Sequence, residues 1–222
     1  MDDKFKYALE HTELIRAPKQ GLSTFGDSVI NYYVVTELMG NASVVRDGKV
    51  IAERPKIVTL SYLANVEGFS DEAKRYMSMM AQEHPDDAGV FYRYRNEPKG
   101  MDIVSEPIGQ VISKLNSQIE EQSNSLSTII KGMEESWDES LLMFIYELTR
   151  RSAGDNMVEL SSRGLFDTDA QGVPRGARDH IEELFEQASR DLSRVPGLVL
   201  ELNRWGLFSE YQDRFFTLFR KS

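Results

Sequence analysis

The chain has 222 residues, 41% apolar, 28% charged and 10% aromatic, a balance that suits a globular protein able to fold on its own core. It contains no cysteine, which excludes disulfides, thiolate nucleophiles, cysteine-ligated zinc and iron–sulfur clusters. With 26 basic and 36 acidic residues, the net charge of −10 repels phosphate backbones and anionic lipid headgroups, which argues against nucleic acid or a membrane surface as partner.

The N-terminal Met1-Asp2-Asp3-Lys4-Phe5-Lys6 lacks the apolar stretch of a secretion signal. The longest apolar run, Leu141 to Tyr146, is far shorter than the roughly 20 residues of a membrane span. These features predict a cytoplasmic protein. Gly21-Leu22-Ser23-Thr24-Phe25-Gly26-Asp27-Ser28 has the spacing of a phosphate-binding loop, but Asp27 stands where that loop carries a lysine. A carboxylate there repels the phosphates, so the segment reads as a turn-rich connection with both glycines at unusual backbone angles.

Val29 to Leu38, rich in Val, Ile and Tyr, reads as a strand, with helix periodicity as the competing reading. In Ser43 to Ile51 the pair Asp47-Gly48 suits a type I′ turn, which predicts a hairpin of Val44–Val45 against Val50–Ile51, ended by Pro55. Ile57 to Tyr62 is apolar and of undefined type. Ser70-Asp71-Glu72 opens a helix through Ala81, with a serine cap and acids where the helix dipole is positive. His84-Pro85 closes that helix, and Asp86-Asp87 follow in the turn.

Val90-Phe91-Tyr92-Arg93-Tyr94-Arg95 alternates as a strand does, which places Arg93 and Arg95 on one face about 7 Å apart. Two guanidinium forks at that spacing could hold a phosphate or carboxylate, with Arg54 and Lys56 joining if their segment lies nearby. The competing reading is a half-exposed strand whose arginines meet surface acids.

Near residue 105 the composition turns helical. The sequence predicts a mixed part at 1–104, carrying the hairpin, and a helical part at 105–222 packed with it. Helices are expected near 107–122, 125–134, 137–151, 155–163, 176–192, 194–204 and 209–220. Trp137, Leu141, Phe144, Ile145 and Leu148 form the stripe of a core helix. The fold class is therefore α+β: a small, mostly antiparallel N-terminal sheet followed by a larger helical part.

Two pentapeptides, Arg163-Gly164-Leu165-Phe166-Asp167 and Trp205-Gly206-Leu207-Phe208-Ser209, share a pattern. Each predicts a helix ending on a left-handed glycine, with Ser209 and Gln212 spaced as a capping box. Asp167-Thr168-Asp169-Ala170-Gln171-Gly172 begins like a calcium loop, which makes Asp167 and Asp169 candidate metal ligands. Position twelve, however, is Arg178 instead of glutamate, and Asx turns are the simpler account.

His11, His84 and His180 are the only histidines, too far apart for a histidine metal motif; His84 could join an acid–base or metal site, and His180 reads as solvated. Nucleophile-elbow and dinucleotide fingerprints are absent. No cofactor is expected. Tyr211, Phe215, Leu218 and Phe219 form one apolar stripe on the last helix, broadened by Phe216, and belong either to the core or to an interface. The expected function is a cytosolic, non-catalytic binding or regulatory protein acting on a protein partner or on itself as a homodimer. The alternative is an enzyme or sensor for a small anion over Arg93 and Arg95.

Overall fold

Ile30, Tyr32 and Val34 alternate with Asn31, Tyr33 and Val35, and both sets are largely shielded from water. A strand with two covered faces is a central strand, and this one organises the first half of the chain. The computed structural model describes residues 7, 10–39, 41–66, 68, 70–84, 88–122 and 125–219. In chain order the elements are β1 (Glu13–Arg16), β2 (Ser28–Leu38), β3 (Ala42–Ala52), β4 (Lys56–Thr59), α1 (Leu60–Ala64), α2 (Asp71–Glu83), β5 (Ala88–Phe91), β6 (Tyr94–Val104) and α3 (Ile108–Glu121). They continue with β7 (Ser127–Gly132), α4 (Trp137–Ser162), α5 (Arg175–Arg190), α6 (Val195–Arg204) and α7 (Phe208–Thr217). The fold is α+β, as expected.

The chain divides into two units, each discontinuous in sequence. Unit 1 comprises residues 1–55 and 92–156, unit 2 residues 56–91 and 157–222. The change of composition near residue 105 falls inside unit 1, between β6 and α3.

Unit 1 is a five-stranded sheet in the order β1-β7-β2-β3-β6, antiparallel except where β2 and β7 run parallel. Ile30, Tyr32, Val34 and Ile130 pack with Leu141, Phe144 and Leu148 of α4. Val35 and Ile129 pack on the other side with Val111 and Ile119 of α3. The stripe predicted for 137–151 is thus a core stripe, and the two expected helices 137–151 and 155–163 are one continuous α4. Gly154 lies inside it without breaking it, at a propensity penalty of roughly 1 kcal/mol.

Two expectations fail here. Asp47-Gly48 is no turn but the middle of β3, paired with Tyr33 and Tyr32 on one side and with Gly100 and Pro98 on the other. The reversal comes earlier, between Leu38 and Ala42, where Asn41 takes a φ of 66°. Opposite Asp47-Gly48 the register of β6 slips, leaving Lys99 as the extra residue of a bulge. The segment 125–134 is not a helix either. Its Thr128-Ile129-Ile130 core is β-branched and fully buried as β7, the inner strand between β1 and β2.

The predicted strand Val90 to Arg95 is split between β5, in unit 2, and β6, in unit 1, with Tyr92 and Arg93 between them. Gly21 and Gly26 have no positive φ. Gly21 is explained by closeness, since a Cβ there would stand 3.1 Å from the Ser152 hydroxyl.

Unit 2 contains the two-stranded antiparallel pair β4–β5 and the helices α1, α2, α5, α6 and α7. The apolar stretch Ile57 to Tyr62 resolves into the end of β4 and the start of α1. Its core joins Tyr62, Ile181, Phe185, Leu198, Leu202 and Trp205. Ser70 caps α2 as predicted, accepting from the Ala73 N–H at 3.2 Å. His84 ends that helix, while Pro85, Asp86 and Asp87 lie outside the described residues.

Both glycine joints form as predicted, with φ of 65° at Gly164 and 66° at Gly206. The N–H groups of Gly164 and Leu165 donate to the carbonyls of Ser161 and Leu160, at 2.9 and 3.1 Å. Those of Gly206 and Leu207 donate to Asn203 and Leu202, at 3.0 and 2.8 Å. Each joint therefore satisfies two carbonyls that a helix end leaves open. The capping box at Ser209 does not form, because α7 begins one residue earlier, at Phe208.

Candidate functional site

Arg93 and Arg95 meet different acids at the surface of unit 1. The Arg93 guanidinium stands 4.0 Å from Glu53 and that of Arg95 3.0 Å from Glu97, with side chains 65% and 70% exposed. Arg54 uses its backbone N–H to bind the Asp27 carboxylate at 3.0 Å. Lys56 belongs to unit 2, where it reaches the buried Glu201 at 3.3 Å.

The loop with phosphate-binding spacing is strapped to α4. The Leu22 N–H donates to Ser152 Oγ at 2.9 Å, the Ser23 N–H to Ser28 Oγ at 2.8 Å, and Thr24 Oγ1 to Asn156 Oδ1 at 3.0 Å. Asn156 in turn donates to the Tyr92 hydroxyl at 2.9 Å. Burial pushes the Tyr92 and Tyr94 phenols above their ordinary range, so both stay neutral hydrogen-bonding groups. The Leu22 and Ser23 N–H groups, which a phosphate loop would turn to its ligand, are thus bonded to serine hydroxyls of the protein itself.

In unit 2, Asp169 closes the expected Asx turn. Its Oδ1 accepts from the N–H groups of Gln171 and Val173, both at 2.9 Å, and its Oδ2 from Arg178 at 2.8 Å. Burial alone would raise the Asp169 pKa, but Val173, Arg178 and Gln171 together hold it below the ordinary carboxylate value. Arg178 is the residue at the twelfth position of the calcium-like loop, and its guanidinium puts positive charge beside Asp169. Arg178 also binds Glu210 and, at 3.3 Å, the Tyr211 hydroxyl. Asp167 joins the turn through its backbone, accepting from the Arg175 N–H at 2.8 Å. Among the described residues no group of three His, Asp or Glu is placed to hold a metal ion.

The histidines are dispersed. His11 bonds the Tyr7 carbonyl through Nδ1 at 2.8 Å and lies on the Tyr7 ring. His180 is less solvated than expected, its side chain 16% exposed and its Nδ1 3.8 Å from Glu183.

The C-terminal aromatic stripe divides between core and surface. Phe215 is buried, and Tyr211 stacks on Phe185 with centroids 5.4 Å apart. Phe216 and Phe219 each meet the Phe215 ring edge-on at 5.6 Å, yet remain 48% and 49% exposed. In the same unit, Phe185, Glu186, Ser189, Arg214, Thr217 and Leu218 line a cavity of about 470 Å³ between α5 and α7. Arg214 covers the Phe185 ring at 4.2 Å and binds Glu182 at 2.6 Å.

Unit 1 holds a site that sequence reasoning missed. Where β2 and β7 end side by side, a cleft of about 770 Å³ opens, lined by Glu10, Glu13, Glu37, Glu134 and Glu135 together with His11, Lys131, Leu38, Met39, Ile108 and Met133. Arg46, only 12% exposed, forks onto Glu134 at 2.5 and 2.9 Å and covers the Trp137 ring at 5.1 Å. Thr36 adds a third bond to Glu134. The Arg46 bond, followed by that from Thr36, outweighs burial and holds the Glu134 carboxyl below its ordinary range. No linear signal marks this cleft, because its acids come from three separate stretches that only the strand register assembles.

No described helix is long and apolar enough to cross a membrane. No protein-family model, curated protein or solved structure matches this chain.

Proposed function

We propose that this chain is a cytoplasmic, non-catalytic binding protein that docks a partner protein on the α7 surface of unit 2. The observation that carries this reading is the pair Phe216 and Phe219, two half-exposed rings braced edge-on against the buried Phe215. Large rings held rigidly at a surface present apolar area to a partner at little entropic cost. The neighbouring cavity between α5 and α7 offers a recess for an aliphatic side chain of that partner. The reading as an anion sensor has weaker support, because Arg93 and Arg95 each already face an acid.

Phe216→Ser/Phe219→Ser in the full chain tests it. Capture from extracts of the source cell, alongside sedimentation of the purified protein, would compare the double variant with wild type. The proposal expects a partner retained by wild type and weakened at least about thirtyfold by the variant, the loss of roughly 2 kcal/mol expected of anchor residues. The thermal midpoint should fall, because half of each ring is covered and both lean on Phe215, so binding is compared at a temperature where both proteins remain folded. Self-association lost in the same variant would identify the partner as a second copy. Equal retention by both proteins, or a wild-type chain that binds nothing and stays monomeric, would reject the reading.

A further inference from the structure

The unit 1 cleft shares no residue with the α7 surface invoked for docking. Its position follows from topology. β2 and β7 run parallel, with Thr36 opposite Gly132, and β1 returns antiparallel with Glu13 opposite Lys131. Beyond those ends the chain leaves β2 for the turn before β3 and leaves β7 for the short 3-10 turn Glu134–Ser136, while α3 starts at Ile108. Chains that diverge past the carboxyl ends of adjacent parallel strands open a crevice, the reason such ends so often bind ligands.

Chemistry defines what would fit. Leu38, Met39, Ile108 and Met133 supply apolar surface, and Met39 is fully exposed. Around them stand five carboxylates against one lysine, Lys131, which lies 3.6 Å from Glu13. Glu134 is neutralised from within by Arg46. Glu37 and Glu135 are exposed and form no ion pair among the described residues. An apolar recess with an acidic rim complements a basic segment that also carries aliphatic side chains, and the acidic chain as a whole attracts such a segment from a distance.

We propose that this cleft binds a lysine- or arginine-bearing segment of a partner protein, its cations on Glu37 and Glu135 and an intervening aliphatic side chain over Leu38, Ile108 and Met133. The methionines suit such a role, since their unbranched side chains adapt to more than one shape.

The test uses the full chain and a fluorescent peptide alternating lysine with leucine, read by anisotropy. Two further peptides replace its leucines by serine or its lysines by glutamate. Saturable one-to-one binding of the lysine–leucine peptide is expected, weakened at least about tenfold by Glu37→Lys/Glu135→Lys and by raising salt from about 50 to 500 mM. The matched reversal Glu97→Lys/Glu121→Lys, at acids outside the cleft, should leave affinity within about twofold. Equal losses in both reversal pairs would reduce the effect to general attraction by an acidic surface and overturn the proposal. So would equal affinity for the lysine–serine peptide, which would leave the apolar recess unused, or no binding at all. Phe216→Ser/Phe219→Ser should bind the peptide as wild type does, so the two surfaces succeed or fail separately.

Discussion

The Tyr32 hydroxyl lies over the backbone of Gly48: a Cβ built on that glycine would stand 2.5 Å from the oxygen and 2.8 Å from the Glu97 carbonyl. The phenol therefore occupies the space a side chain would need, and it does so directly across the β2–β3 pairing. Burial pushes the Tyr32 phenol above its ordinary range, so it is a neutral hydroxyl at neutral pH.

Gly48→Ala should accordingly destabilise the protein by about 1–3 kcal/mol, because the Glu97 carbonyl is backbone and cannot swing away. Gly154→Ala is the control. That glycine is helical and nothing lies within 4 Å of the added carbon, so the change should stabilise by about 0.5–1 kcal/mol. Urea denaturation of both variants measures the contrast, and two changes of the same sign would contradict this account of Gly48.

The helix joints offer a second comparison. Gly206→Ala forces an L-residue to a φ of 66° with open space around it, a penalty of about 1–2 kcal/mol. Gly164→Ala carries the same backbone strain and in addition sets its carbon 2.6 Å from Asp167 Oδ2. The Asp167 carboxylate ends a flexible side chain that can swing aside, so thermal unfolding should show losses of similar size in the two variants.

A third prediction concerns acid. Burial works against the charged form of Asp169, but the Val173, Arg178 and Gln171 donors win and set its folded pKa below the ordinary 3.8. A folded value below the unfolded one contributes stability that is complete above the unfolded pKa and fades as pH falls through the folded value. Glu134, held low mainly by Arg46, acts in the same direction in unit 1. Stability should thus fall as pH drops below about 4. Asp169→Asn should lower stability at neutral pH by about 1–3 kcal/mol and flatten the acid limb. An unchanged acid limb would show that this carboxylate does not govern it.

Local chemistry was legible where the responsible atoms are close in sequence. Gly164 and Gly206 end helices because each joint closes on carbonyls a few residues upstream, and Ser70 caps α2 within three residues. Asp47-Gly48 misled because glycine before a strand-like run signals a turn, whereas here its missing side chain makes room for Tyr32, sixteen positions away in sequence but adjacent in space. Ser127 to Gly132 misled for a related reason. Nothing nearby distinguishes a buried inner strand from a short helix, and its partners β1 and β2 lie a hundred residues earlier or thereabouts. Of the acids that meet Arg93 and Arg95, Glu97 stands two residues after Arg95 on the same strand and is visible in the sequence, whereas Glu53 reaches Arg93 only through the fold. The acidic cleft escaped altogether, since pairing between distant strands creates it.

The interrupted layout of unit 1 bears on how the protein is made. β2 and β3 leave the ribosome long before β7, because residues 56–91, which belong to the other unit, are translated in between. Until β7 arrives, one edge of β2 lacks its hydrogen-bonding neighbour, and until α4 follows, the apolar residues Ile30, Tyr32 and Val34 stay wet. Completion of that sheet must wait for translation to pass Gly132, and the nascent chain is most open to chaperone capture or misassembly during that delay.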